Sequence, residues 1–316
     1  METLIVDSRV AAFDPYVVET VRNAEALFIA GGDQANYVRY WKGTPLEDAI
    51  HFVAAKPAPI GGTSAGMAIL GEFSYSAMTP DSLTSATALA DPYAPDVTLE
   101  RDFLALPGLK GLLTDQHLQE RDRIGRTVAL LARLLHDGWT TEARAIAADR
   151  ETSVHIDPVT RTAEVFATAD HPTPYAHFMS ANRAPERCEP GQPLTFSPIE
   201  VYRLAPGGRF DLAAWQGEGG LAYELSVESG VLRSSRGSSA QSRGGALIPR
   251  RARPSMRPRS RTTSSRRCAG WRTSWRLPSV RCCWLRTPRC SPHSAGNAMS
   301  RRAMSAGKAT NRCSAG

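Results

Sequence analysis

Residues 231–316 contain no Asp and no Glu; all 31 acidic residues of the chain lie in residues 1–230. The basic residues divide almost evenly, 18 before that point and 20 after it. The overall charge of +7 therefore hides an acidic first part and a wholly basic tail. The tail is also poor in aliphatic side chains, with seven Ile, Leu or Val from residue 231 onward. So little apolar surface does not offset the entropy of ordering a chain, which excludes an ordinary globular domain there. Cysteine is scarce as well. Cys188 stands alone in the first part, and the tail cysteines, with Cys282 and Cys283 adjacent, form no C-x-x-C pair. That spacing excludes a zinc framework and gives no sign of a disulfide scaffold. Residues 1–7 lack a basic segment followed by a long apolar run, and no later window is long and apolar enough to span a membrane. A secretory signal and a membrane partner are thus not expected, and the cytoplasm is the expected compartment.

Residues 1–232 carry the pattern of an α/β domain. Leu4-Ile5-Val6 reads as a short buried strand, and residues 15–24 as a helix started by Asp14-Pro15. Residues 27–30 form the next apolar strand, ended by Gly31-Gly32-Asp33-Gln34. Helices through residues 37–41 and 46–54 precede a third strand at Pro59-Ile60. This β-α-β-α-β order predicts a parallel sheet covered on both faces, with ligands outside the carboxyl ends of its strands. Residues 81–95 are polar and rich in turn formers and read as a surface excursion. Ile124, Val128, Leu131 and Leu135 repeat at helical spacing, and Gly138 ends that helix. Short strands at 163–167, 194–196, 200–204 and 222–227 predict further β structure at the sheet edge.

Gly61-Gly62-Thr63-Ser64-Ala65-Gly66 falls where the third strand turns into a helix. A serine on so sharp a turn projects its hydroxyl, and its neighbours must be Gly or very small. The amide of Ala65 then points toward the oxygen of an attacked carbonyl. A serine needs a base and a group that orients the base. His51 and His136 sit in helices with structural surroundings, and His171 and His177 in a Pro-rich stretch. Only His117 stands at a strand-to-helix turn in a polar cluster, Thr114-Asp115-Gln116-His117. The acid stays open between Asp149 and Glu151, which fall at a strand end after His117; Asp115 is too near the histidine to come first. A Ser–His–acid order also differs from that of α/β-hydrolases. Arg121, Arg123 and Arg126 crowd the first turns of a helix, where the dipole disfavours cations. They are either a solvated face or receivers of substrate carboxylates.

These four motifs, Gly31-Gly32-Asp33-Gln34, Gly62-Thr63-Ser64-Ala65-Gly66, Asp115-Gln116-His117 with its arginines, and Asp149-x-x-Thr152, occur in an order that resembles the cyanophycinase and dipeptidase E family of serine peptidases, peptidase family S51. The resemblance covers residues 1–232 and is nearer to cyanophycinase-like members. It implies a class-I-glutaminase-like three-layer α/β sandwich with a mainly parallel sheet, and a serine peptidase that uses no metal and no cofactor. Ser64 would be the nucleophile and His117 the base, with Asp149 or Glu151 as the acid. Ala65 with Gly32 or Asp33 would form the oxyanion hole. Gln34, Asp115, Gln116, Arg121, Arg123 and Arg126 would shape a pocket for peptides with an aspartyl or β-aspartyl residue at the scissile bond. Relatives carry another βα unit upstream, so Met1 is expected to stand inside the domain, with a homodimer as a possible assembly. Arg150 stands where many relatives have an acid, and Leu118 replaces a frequent aromatic.

Residues 233–316 have no counterpart in that family. Their Arg, Ser, Pro and Cys content reads as a disordered tail translated in a shifted frame, unable to supply a strand. The rival reading is a basic nucleic-acid arm, with Trp271, Trp275 and Trp284 stacking on bases, carried by an inactive scaffold. A glutaminase-like amidotransferase is a third reading, weakened because a Cys would normally stand at position 64.

Overall fold

Short apolar strands and capped helices build the first third of the chain. The computed structural model describes residues 1–168, 174–236 and 282–286. Strands β1 (Glu2–Ile5), β2 (Ala26–Ile29) and β3 (Ile60–Gly62) are connected through helices α1 (Pro15–Arg22), α2 (Gln34–Trp41) and α3 (Pro45–Ala54). Asp14 caps α1 by accepting from the Tyr16 amide at 2.8 Å, and Pro15 occupies the first turn, where no N–H is needed. Asp33 caps α2 in the same way through Ala35, at 3.0 Å. Helices α1 and α3 pack on each other and bury Val17, Val21, Ile50 and Val53.

Past the serine turn come α4 (Ala65–Ala68), β4 (Phe73–Tyr75), α5 (Ser85–Ala90), β5 (Leu99–Arg101), β6 (Leu112–Gln116), α6 (Ile124–His136) and β7 (Ala143–Ala148). The remaining strands are β8 (Thr152–Asp157), β9 (Thr162–Ala167), β10 (Ala176–Ala181), β11 (Phe196–Leu204), β12 (Arg209–Asp211), β13 (Gln216–Glu218), β14 (Leu221–Glu228), β15 (Val231–Ser234) and β16 (Cys282–Arg286). They form three sheets, in the orders β1-β16-β2-β3, β15-β14-β11-β10-β7-β6-β4-β5 and β13-β12-β9-β8. The first is parallel throughout; the second is parallel across β4, β6 and β7 and antiparallel beyond. The α/β class expected from the sequence is the class observed, with the later strands extending the sheet antiparallel.

Alternation along β7 fixes the layers. Ala145 and Ala147 face the cluster that holds Val128 and Leu131 of α6, whereas Ile146 faces Phe178 and Phe210 on the other side. Phe178 of β10 stacks on Phe210 of β12 at 3.9 Å, which joins the third sheet to the second. The central sheet thus lies between α5 and α6 on one face and β8, β9, β12 and β13 on the other. No helix among the described residues is long and apolar enough to cross a membrane.

Two expectations require correction. Residues 81–95 are not merely a surface excursion: Thr84 accepts from the Thr87 amide at 3.2 Å and starts α5, whose Ala88 and Leu89 are buried against α6. Polar flanks hid a short amphipathic helix. The tail, in turn, does supply a strand. β16 lies between β1 and β2, with Cys283 and Leu285 buried and Trp284 4.8 Å from the Phe28 ring. The Ala30 amide donates to the Leu285 carbonyl at 2.8 Å. A central parallel strand needs only a short apolar run, which Cys282-Cys283-Trp284-Leu285 provides, and no period-2 alternation. Residues 237–281 and 287–316, Trp271 and Trp275 among them, and His171 lie outside the described residues.

Candidate active site

Sterics place the serine. Ser64 has φ 53° and ψ −121°, a left-handed conformation that costs a non-glycine residue about 1–3 kcal/mol. The turn is tied down by Thr63 donating to the Ile29 carbonyl at 3.0 Å and Gly66 donating to the Thr63 carbonyl at 2.9 Å. A Cβ on Gly62 would strike the Gly66 carbonyl, and one on Gly66 would strike the Ile29 carbonyl. We therefore expect Gly66→Ala to push the turn away from β2, lowering stability by about 1–3 kcal/mol and slowing reaction at Ser64. Denaturant unfolding together with active-site titration checks both effects; a variant with unchanged values would contradict this packing.

His117 closes β6 and also has a positive φ, 53°. Its Nε2 lies 3.1 Å from Ser64 Oγ, so the hydroxyl can donate to the unprotonated nitrogen. Burial, followed by the charges of Arg121 and Arg123, holds the imidazole below its ordinary 6.5. A lowered value keeps the ring neutral, and competent as a base, to lower pH. Arg121 is exposed, so Arg121→Ala removes a repelling charge without opening the core. The acidic limb of the kcat/KM profile should then move to higher pH. A limb that stays in place, or moves down, would contradict the electrostatic account.

Neither candidate acid is hydrogen-bonded to His117. Asp149, buried at the end of β7, accepts from the Gln119 amide at 3.2 Å, Gln119 Nε2 at 2.7 Å and the Tyr175 amide at 3.3 Å. It therefore ties down the loop that follows His117. His177 lies 3.6 Å from the same carboxylate, buried in β10. The expectation of a Pro-rich loop position for His177 is corrected, because the strand begins immediately after Tyr175. Glu151 is exposed, has φ 57°, sits 3.3 Å from Arg150 Nε and accepts from Thr168 Oγ1 at 3.1 Å.

Two of the arginines face inward. Arg126 is fully buried; its guanidinium pairs with Asp115, with Nε 3.2 Å from Oδ2, and lies over the Tyr75 ring at 4.7 Å. Thr127 Oγ1 donates to the same carboxylate at 2.8 Å. Arg123 is buried as well and donates to the Gln116 carbonyl at 3.0 Å and to Gln116 Oε1 at 2.7 Å. Burial, with Arg126 nearby, lowers its guanidinium to about 10. The expectation that Asp115, Gln116, Arg123 and Arg126 open onto a substrate pocket is thus corrected for the arginines: both are held by internal acceptors. Gln34 is also buried and donates to the Tyr75 carbonyl at 3.3 Å. Gly32 and Asp33 follow β2, and Gly31 stands close to the serine, where a Cβ would lie 3.1 Å from that of Ser64. His51 is structural, as expected, with Nε2 3.1 and 2.9 Å from the Phe103 and Leu104 carbonyls. Gln119 and His177 are the site residues that sequence reasoning missed. A glutamine two places beyond a candidate base was the only available signal.

Residues 7–92, which include the Gly31–Asp33 turn and the whole serine turn, match the family model of Peptidase family S51. Over that span, 86 of the 316 residues, the chain is similar to the family. His117 and Asp149 lie beyond the matched span. A crystal structure of a peptidase from an acI-B1 Actinobacterium is 17% identical, covering 65% of this chain and 67% of that chain, with a TM-score of 0.37. No curated protein matches this chain.

Proposed function

We propose that this protein is a serine-type peptidase in which Ser64 attacks the scissile carbonyl and His117 carries the proton. The observation that carries this reading is the 3.1 Å approach of His117 Nε2 to a serine held at φ 53° on a strand-to-helix turn. Ser64 Oγ gives its proton to Nε2 as it bonds to the carbonyl carbon, and the imidazolium returns that proton to the leaving amine. The Ala65 amide, at the first position of α4, has no acceptor within its own helix and stabilises the oxyanion with an amide of Gly32 or Asp33. Asp149 acts as a positioning residue through Gln119; Glu151 stands at the mouth.

The substrate in this reading is an aspartyl or β-aspartyl peptide of the cyanophycinase kind. Arg121 and Arg150 support it, as exposed cations beside His117 and at the cavity rim respectively. Incubation with α-aspartyl dipeptides and with β-aspartyl-arginine tests the class. Turnover of at least one, with the corresponding asparaginyl peptide slower by about ten- to a hundredfold, is expected from loss of a charge-assisted contact. Equal rates on charged and neutral peptides would remove the carboxylate from recognition.

A further inference from the structure

A cavity of about 1020 Å³ opens beside Ser64 and His117, at the upper end of the roughly 300–1,000 Å³ typical of ligand pockets. Its lining runs without a break from residue 56 through β3 to Ser64 and includes every residue of β8. Gly61 and Gly62 contribute no side chains to that wall. Phe28, Ile60, Met67, Leu70, Ile146 and Ile156 supply the larger, apolar part of the lining, while Lys56, Arg150, Glu151 and Asp157 line the same cavity. The arginines that would have made this side of the serine a carboxylate site, Arg123 and Arg126, are bonded to Gln116 and Asp115 instead.

We propose a second activity at the same serine, hydrolysis of esters whose acyl group is a large apolar chain seated in this cavity. The proposal rests on Ser64 and His117 acting as described above, and on the apolar character of the channel that leads away from them. Ser64 Oγ bonds to the ester carbonyl carbon while its proton passes to His117 Nε2; the alcohol leaves with that proton. Water then attacks the acyl-serine, its proton returns through His117 to Ser64 Oγ, and the carboxylic acid is released.

The test is kcat/KM of the full-length protein for p-nitrophenyl acetate, butyrate, hexanoate and octanoate. Each buried methylene should raise it about fourfold, on the order of a hundredfold from butyrate to octanoate. Ile60→Trp, which fills the channel, should lower the octanoate-to-acetate ratio by about tenfold or more. Should that variant not fold, decanoate titrated into Ser64→Ala should change the fluorescence of Trp284, which lines the same cavity. The p-nitrophenyl ester of N-acetyl-leucine, compared with the octanoate ester, distinguishes an amino-acyl from a fatty-acyl source of the apolar group. A flat or falling chain-length profile, with Ser64 still modified by a fluorophosphonate, would overturn the apolar site alone. A protein that the fluorophosphonate does not modify would overturn the serine mechanism along with it.

Discussion

Ser64→Ala is expected to lower kcat/KM by on the order of 10⁴-fold or more, with little change in stability. The hydroxyl makes one bond the structure defines, to His117 Nε2, and its loss removes no packed apolar group. Relief of the positive φ will be slight, because alanine is as strained there as serine. Residual turnover would come from binding and the oxyanion amides, as it does in serine hydrolases that lose their nucleophile. Kinetics on an aspartyl substrate, alongside denaturant unfolding of the same preparation, separate the two readouts. Activity within a few-fold of the parent would remove Ser64 from the chemistry; a large drop in stability would make it a structural residue.

Leu285→Ala is expected to cost about 2–5 kcal/mol, and a chain ended at Arg236 should lose the cooperative unfolding of the first sheet. Leu285 is fully buried at the centre of that sheet, with β1 on one side and β2 on the other. Without β16, both neighbours lose a ladder of backbone bonds and expose edges that favour aggregation. Burial also pushes the Cys283 thiol up to about 11, so it should resist alkylation in the native protein and react once the strand is gone. A protein ended at Arg236 that unfolds at the same denaturant concentration as the full chain, or a Cys283 that reacts at the rate of a free thiol, would contradict the position of β16.

The serine turn was legible in the sequence because sterics leave few alternatives: Gly62 and Gly66 are squeezed against backbone that no side chain can approach. His117 was legible from its place at the end of an apolar strand. The fate of the arginines was not. Arg126 at the start of a helix resembles a solvated cation until Asp115, eleven residues earlier, turns out to share its burial. Local sequence does not reveal which charge a fold will internalise. The role of Asp149 was hidden for a related reason, since its partners, Gln119 on one side and Tyr175 with His177 on the other, come from two segments distant in sequence. β16 was missed because a search for alternating apolar residues in an arginine-rich tail passes over a four-residue apolar run. That run is enough when strands wait on both sides.

Activation of Ser64 by His117, as proposed, makes the serine open to covalent labelling. Intact-mass analysis of the full-length protein after exposure to a fluorophosphonate tests it most directly, with peptide mapping to locate the adduct. A single adduct on Ser64 is expected, forming about a hundredfold or more slowly in His117→Ala. An adduct on another residue, or one that forms equally fast without His117, would contradict the account.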